Sequence, residues 1–225
     1  MGIYERKERE KERRRQQIMV AAKRVFSIKG FGRATMEDIA NEAELSPGTL
    51  YLYFKSKDDL CASLSLRVLE YFFLRMEHLA SEKQLNGPQK IAALKKALFD
   101  IYEFDPLILK NLFFLQSNEA FQQLTPELMA EINTLSCKAM NMIASLFETG
   151  FKQDQRPKMH PYEIAEIVWA TFYGLVLWQK ADGEAEENTA HLKKILDHAF
   201  AIIERGIFVE NRSAIDEPLK VELDA

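Results

Sequence analysis

Between Thr35 and Ser56 the chain carries three separate signals for starting a helix, and a segment so punctuated cannot form one long element. Thr35 followed by Asp38 puts a hydroxyl at the cap and a carboxylate at the third helical position, where each can take a backbone N–H that the helix leaves unpaired. That helix is predicted to run through Ala43. Ser46-Pro47 repeats the signal at once, a capping hydroxyl followed by a residue with no N–H to satisfy. This helix can reach only to about Tyr53. Ser56, with Asp58 and Asp59 in the first turn, opens another, which the spacing of Leu60, Leu64, Val68, Tyr71 and Phe72 carries to about Leu79. Ahead of all three, Ile18, Ala21, Ala22, Val25 and Phe26 recur on one helical face, and Lys29-Gly30-Phe31-Gly32 ends that helix with Gly30 as its left-handed residue. Residues 18–60 thus hold three short helices and the start of a long one. The middle two are separated by about three residues, the spacing of a helix-turn-helix.

After Asn86-Gly87-Pro88 the windows lengthen and fill with Phe, Leu and Met. Breaks at Asp105-Pro106, Thr125-Pro126, 155–161 and 181–188 predict helices over about 91–105, 107–124, 127–153, 161–180 and 188–205. With 9 Gly and 7 Pro in 225 residues and no alternating pattern, the fold class is all-α. Four regions follow: a charged extension (1–17), the helix-turn-helix region (18–60), a larger helical domain (61–209) and a loose acidic tail (210–225).

Charge is uneven. Residues 1–60 carry 13 Lys and Arg against 10 Asp and Glu, which leaves 17 against 24 for the rest. A basic head on an acidic body points to an anionic partner at that end. Residues 5–17 are nearly all Glu, Lys, Arg and Gln, either a solvated helical extension or a basic arm for phosphates or a minor groove. The opening residues lack the apolar stretch of a secretory signal, and the longest apolar run, 167–178, is short of the ~20 residues of a bilayer span. We expect a cytoplasmic protein with Cys61 and Cys137 reduced.

In 46–54, Leu50 and Phe54 share the inward face with Ile39 and Ala40. Thr49, Tyr51 and Tyr53 are left near the surface, where they either finish a small core or meet phosphate oxygens. Phe26-Ser-Ile-Lys-Gly30-Phe31, Thr35-Met-Glu-Asp-Ile39-Ala40 and Leu45-Ser-Pro-Gly-Thr-Leu-Tyr-Leu-Tyr-Phe-Lys-Ser-Lys-Asp-Asp-Leu60 resemble the DNA-binding domain of the tetracycline-repressor (TetR) family of bacterial regulators. The resemblance implies a homodimer on a palindromic DNA operator, released by a small-molecule effector. Carried over by position, Thr35, Tyr53 and Lys57 would hold phosphates, while Pro47, Gly48, Thr49 and Tyr51 would lie against the groove. No Arg, Asn or Gln within 46–54 can make a bidentate base contact, so discrimination is expected from methyl and hydroxyl contacts, from Arg33 and from DNA shape. Glu44 stands where the family usually has Gly, which demands a positive φ or a different helix end.

The same resemblance assigns dimerisation to the last two helices. Trp169, Phe172, Leu175 and Trp178 on one, and Leu192, Ile195, Ala199 and Ile203 on the other, are the expected interface. Tyr102, Phe114, Asn118, Met140, Phe147 and Tyr173 are the candidate lining of a hydrophobic or aromatic effector site, although Met and Phe in such number also describe plain core. No cofactor or metal is expected. An enzyme is disfavoured because the four His gather with no nucleophile, glycine loop or ligand cluster. A helical adaptor without DNA binding is the other rival.

Overall fold

The computed structural model describes residues 2–82, 84–117, 119–151, 157–179 and 185–208. These are helical and contain no strand: α1 (Ile3–Lys29), α2 (Met36–Glu42), α3 (Pro47–Tyr51), α4 (Lys57–Ser81), α5 (Gly87–Phe104), α6 (Pro106–Gln116), α7 (Pro126–Thr149), α8 (Pro161–Leu177) and α9 (Ala185–Phe208). The acidic tail lies outside the described residues.

The caps form as the residue types dictate. Thr35 Oγ accepts the Asp38 N–H at 3.1 Å and the Asp38 carboxylate takes the Thr35 N–H at 3.1 Å. Ser46 and Ser56 accept from the N–H groups of Thr49 and Asp59 at 3.1 and 3.0 Å. Asn86 and Asp105 open α5 and α6 in the same way. Gly30 ends α1 with φ 74°, a backbone angle that a side chain would strain.

The two largest departures from the expected spans are in α1 and α6. α1 begins at Ile3, so the charged extension and the apolar segment after it are one continuous helix. The helix expected over 107–124 ends at Gln116, where the Ser117 hydroxyl donates to the Phe114 carbonyl at 2.9 Å and competes with the backbone. A short 3-10 turn, Glu119–Gln123, follows.

In the head, Ile18, Ala22, Phe26, Ile39, Ala40, Leu50 and Leu60 are fully buried. Burial of each large side chain contributes ~1.5–3 kcal/mol. α4 continues from this core into the body, where it packs on α5, α6 and α7, while α7 packs on α8 and α8 on α9. Between α4, α6 and α8, the rings of Phe72, Phe113, Trp169, Phe172 and Tyr173 interlock with centroids 4.5 to 6.0 Å apart.

Two polar contacts tie head to body, one at each end of the 105–125 segment. Lys23 of α1 pairs with Asp105 at 2.6 Å, and the buried Asp59 of α4 accepts the Thr125 N–H at 3.1 Å. The caps that open α6 and α7 are therefore both tied to the head.

The two thiols lie in opposite surroundings. Cys61 is buried on α4, and burial pushes its pKa up to about 12, whereas Cys137 on α7 is exposed. A thiol reagent at pH 8 is expected to modify Cys137 rapidly and Cys61 only as fast as the chain unfolds. Rapid reaction at both would contradict the packing of α4.

Candidate nucleic-acid interface

α2 and α3 are joined by a turn whose geometry rests on Glu44. The Leu45 N–H donates to the Ala40 carbonyl at 2.8 Å and the Glu44 N–H to the Asn41 carbonyl at 3.1 Å, the paired bonds of a Schellman helix end. That closure needs a positive φ at Glu44, and its φ of 54° is the one positive value among the described non-glycine residues. Its carboxylate projects from the head beside the exposed Asn41 and Glu42.

Leu50 and Phe54 turn inward, at 0% and 2% exposure, and close over Ile39 and Ala40. At 100° per residue this sends Gly48 and Leu52 to the opposite side, with Thr49 and Tyr51 flanking them. Leu52 is 83% exposed and Tyr51 53%. Leu52 was not among the residues singled out from the sequence, yet the same angular arithmetic locates it once Leu50 and Phe54 are taken as core. Pro47 and Gly48 are exposed, and Thr49 is half-buried with Oγ1 2.9 Å from Ser46 Oγ. Tyr53 packs its ring against the core and is only half-exposed.

Thr35 and Arg33 lie exposed at the α1–α2 turn, and Arg33 Nε donates to the Lys29 carbonyl at 3.1 Å. Lys29 also pairs with Asp38 at 2.6 Å. That hydrogen bond, with those of Thr35, holds the Asp38 carboxyl below the usual range.

Lys57 departs from its expected role. Its ammonium has three donors, and they reach the carbonyls of Phe31, Ala34 and Gly32 at 2.8, 2.9 and 3.3 Å, with Nζ 4.7 Å from the Phe31 ring centroid. Lys57 thus braces the α1–α2 turn from α4. Lys55, on the exposed side of the α3–α4 turn, makes no ion pair among the described residues and offers the outward charge instead.

The described residues among the expected effector site lie in differing surroundings. Tyr102 and Phe147 are buried core, the former donating its hydroxyl to Gln179 Oε1 at 2.7 Å. Phe114 is 55% exposed. Tyr173 bonds the Phe113 carbonyl at 2.6 Å within the aromatic cluster, Met140 packs against the core from α7, and Asn118 lies outside the described residues. The rings fill the interior against one another, which sequence spacing alone cannot distinguish from lining a pocket.

The expected dimer stripe is also corrected. Phe172 and Leu192 face their own core at 0% and 1% exposure, because α8 and α9 must first bury a face within the chain. Trp169 belongs to the aromatic cluster, and Leu175, Ile195, Ala199 and Ile203 are intermediate. Among the exposed residues of α8, Ile167, Ala170, Gly174 and Trp178 recur on one face; on α9, Glu187, His191, Lys194, His198, Ile202 and Arg205 do so. Trp178 is 85% exposed and Ile202 71%.

Three substitutions check these assignments. Lys57→Ala should destabilise the head by about 1–2 kcal/mol, the scale of charged hydrogen bonds to partly buried carbonyls, measured by urea unfolding. Lys55→Ala should leave stability unchanged, weaken DNA binding and lower the salt slope by about 1. Glu44→Gly should raise stability by about 1 kcal/mol through relief of the left-handed backbone and strengthen DNA binding through loss of a carboxylate. Equal stability of Lys57→Ala and the native chain would return Lys57 to the phosphate contacts.

The family model described as bacterial regulatory proteins, tetR family, matches residues 18–64, the segment that contains this turn. The fatty acid metabolism regulator protein of Bacillus subtilis is 29% identical over 139 residues, covering 62% of this chain and 69% of that protein. The ketosteroid transcriptional regulator KstR2 of Mycobacterium tuberculosis has the same fold at TM-score 0.64, with 21% identity over 88% of this chain and 96% of its own. Bacillus subtilis FadR, solved in complex with stearoyl-CoA, aligns at TM-score 0.59 and 23% identity over 85% and 98% of the two chains. Residues 18–64 thus match the model of that family, and the chain as a whole shares the fold of these solved regulators.

Proposed function

We propose that the protein is a homodimeric repressor in the bacterial cytoplasm that binds a palindromic operator and is released by a hydrophobic small molecule. The observation that carries the DNA-binding part is the outward face of α3, where Tyr51 and Leu52 are held in solvent over a fully buried Leu50. Pro47, Gly48, Thr49, Tyr51 and Leu52 would enter the major groove, and Arg33, Thr35, Tyr53 and Lys55 would meet the backbone on either side. A leucine and a tyrosine in a groove favour thymine methyl groups over hydrogen-bonded base edges.

Dimerisation through α8 and α9 would account for Ile167, Trp178 and Ile202 standing in water. Ala170 and Gly174, between Ile167 and Trp178, would let a second helix approach closely. Two heads on one dimer then read two half-sites one helical turn apart.

The effector proposal rests on the aromatic cluster between α4, α6 and α8. A ligand entering there must part rings now 4.5 to 6.0 Å apart and so displace α6. Because Asp105, which opens α6, and Thr125, which opens α7, are both bonded to the head, displacement of α6 would bias the head away from its operator-binding position. Couplings of this type amount to ~1–3 kcal/mol, or roughly 5- to 150-fold in affinity. Long-chain acyl-coenzyme A is the first class to test, given the relatives named for fatty acid metabolism and solved with stearoyl-CoA.

Two measurements check the proposal. Trp178→Ala combined with Ile202→Asp should give a monomer by light scattering with native helix content and operator binding at least ~10-fold weaker, the loss expected when two half-site contacts no longer act together. A dimer of normal affinity would reject this interface. In Trp178→Phe the remaining Trp169 reports on the aromatic cluster. Acyl-coenzyme A should shift its emission and lower operator affinity in parallel, and a titration that moves neither would reject that effector class.

A further inference from the structure

The charged extension has an arrangement that neither its composition nor the DNA-binding head explains. Tyr4 to Arg13 of α1 are exposed, Arg14 to Gln16 are half-buried, and Ile18 and Met19 are core. Ten residues of helix, about 15 Å, therefore project from the head.

A rod needed only for solubility would mix its charges around the axis. Here Glu5, Glu8 and Glu12 fall on one line, with successive steps of three and four residues. Lys7, Lys11 and Arg14 fall on another, and Arg6, Arg9 and Arg13 on a third. Glu10 is the acid that lies off the first line, and it is taken up by Arg13 at 2.7 Å. The line of Lys7, Lys11 and Arg14 runs on into Ile18, Ala21 and Val25, so the face that is buried inside the head becomes cationic once the helix leaves it.

The root of the rod is fixed beside the recognition segment. The Arg15 guanidinium lies 4.5 Å over the Phe54 ring and donates to Ser63 Oγ at 2.9 Å. It lines a cleft at the head–body junction, with Tyr51, Leu52, Tyr53 and Lys55 on the head and Thr125, Glu127, Leu128 and Glu131 on the body. Gln17 Nε2 donates to the Ala43 carbonyl at 2.9 Å. The rod is thus a continuation of α1 whose root is held where the α3–α4 turn meets α4 and the start of α7.

We propose that this rod is a second DNA contact, which lays the Lys7, Lys11 and Arg14 line along phosphates flanking the base pairs read by α3. The inference rests on the DNA-binding reading of the head. A continuous helix cannot coil into a minor groove as a loose arm does, so its contacts are with the backbone and carry affinity more than sequence preference. Lys7 to Arg14 span about 10 Å, which corresponds to roughly three base pairs at each outer edge of the operator.

The test uses the full chain on an operator selected from random duplexes. Lys7→Gln/Lys11→Gln/Arg14→Gln is compared with Glu5→Gln/Glu8→Gln/Glu12→Gln, both keeping good helix formers. The basic triple should shorten the hydroxyl-radical footprint by about three base pairs at each edge and reduce the slope of log affinity against log salt by up to about 2.7 per chain, with the central protection intact. The acidic triple should bind more tightly. An unchanged slope and footprint with central protection intact would overturn the rod's role and leave the regulator standing. A change confined to dimer dissociation would assign the rod to the acidic body of a second copy and also overturn it. No protection by the native chain would remove the DNA-binding reading and the rod with it.

Discussion

The structure depends on α4 remaining one unbroken helix with its apolar face buried from end to end. Leu60 closes the head, Leu64 and Val68 continue the line, and Phe72, Met76 and Leu79 are interior to the body. At 25 residues it is about 38 Å long, and no Gly or Pro interrupts it. The position of the recognition segment relative to the body is therefore set by the packing of one rigid rod. The Lys23–Asp105 pair and the Asp59–Thr125 bond fix that packing where α6 and α7 begin. Any event that repacks the body around α4 is transmitted to the head without a separate relay.

Local chemistry made the head legible. Capping hydroxyls, a proline at a first helical position and acids in first turns each have one structural consequence, and the structure contains those consequences at Thr35, Ser46 and Ser56. Glu44 is the same lesson from the other side: a residue unsuited to the turn still adopts the turn's φ, because burial of Ile39, Leu50 and Phe54 outweighs a strain of about 1–2 kcal/mol. The roles of long side chains were not legible. Lys57 is near three carbonyls only after α4 folds back against the α1–α2 turn, a contact across more than twenty residues that no local spacing encodes. In the body, aromatic and Met positions could be assigned to the interior but not to a shared pocket, and an apolar helix such as α8 gave no indication which of its faces meets its own chain.

Under the proposed DNA-binding function, the head would be a shape and methyl reader more than a hydrogen-bond reader. The recognition segment offers Leu52, Tyr51 and the Thr49 hydroxyl, and its neighbouring charges are partly spent internally: Lys29 on Asp38, Arg24 on Glu42 and Lys57 on carbonyls. A net positive face is recovered from Arg33, Lys55 and the basic lines of the N-terminal rod. Such a division gives affinity to the backbone contacts and leaves sequence choice to a small apolar surface, with DNA deformability adding to it.

The most direct measurement is selection of bound sequences from a random duplex library by the native chain, followed by the stoichiometry of the complex with the enriched duplex. The account gives an inverted repeat, half-site centres about one helical turn apart, rich in A·T steps where Leu52 and Tyr51 would meet thymine methyls, and two chains per duplex. An enriched sequence without symmetry, bound by one chain, would contradict the dimeric reading. Failure to enrich any sequence would contradict the role given to α3.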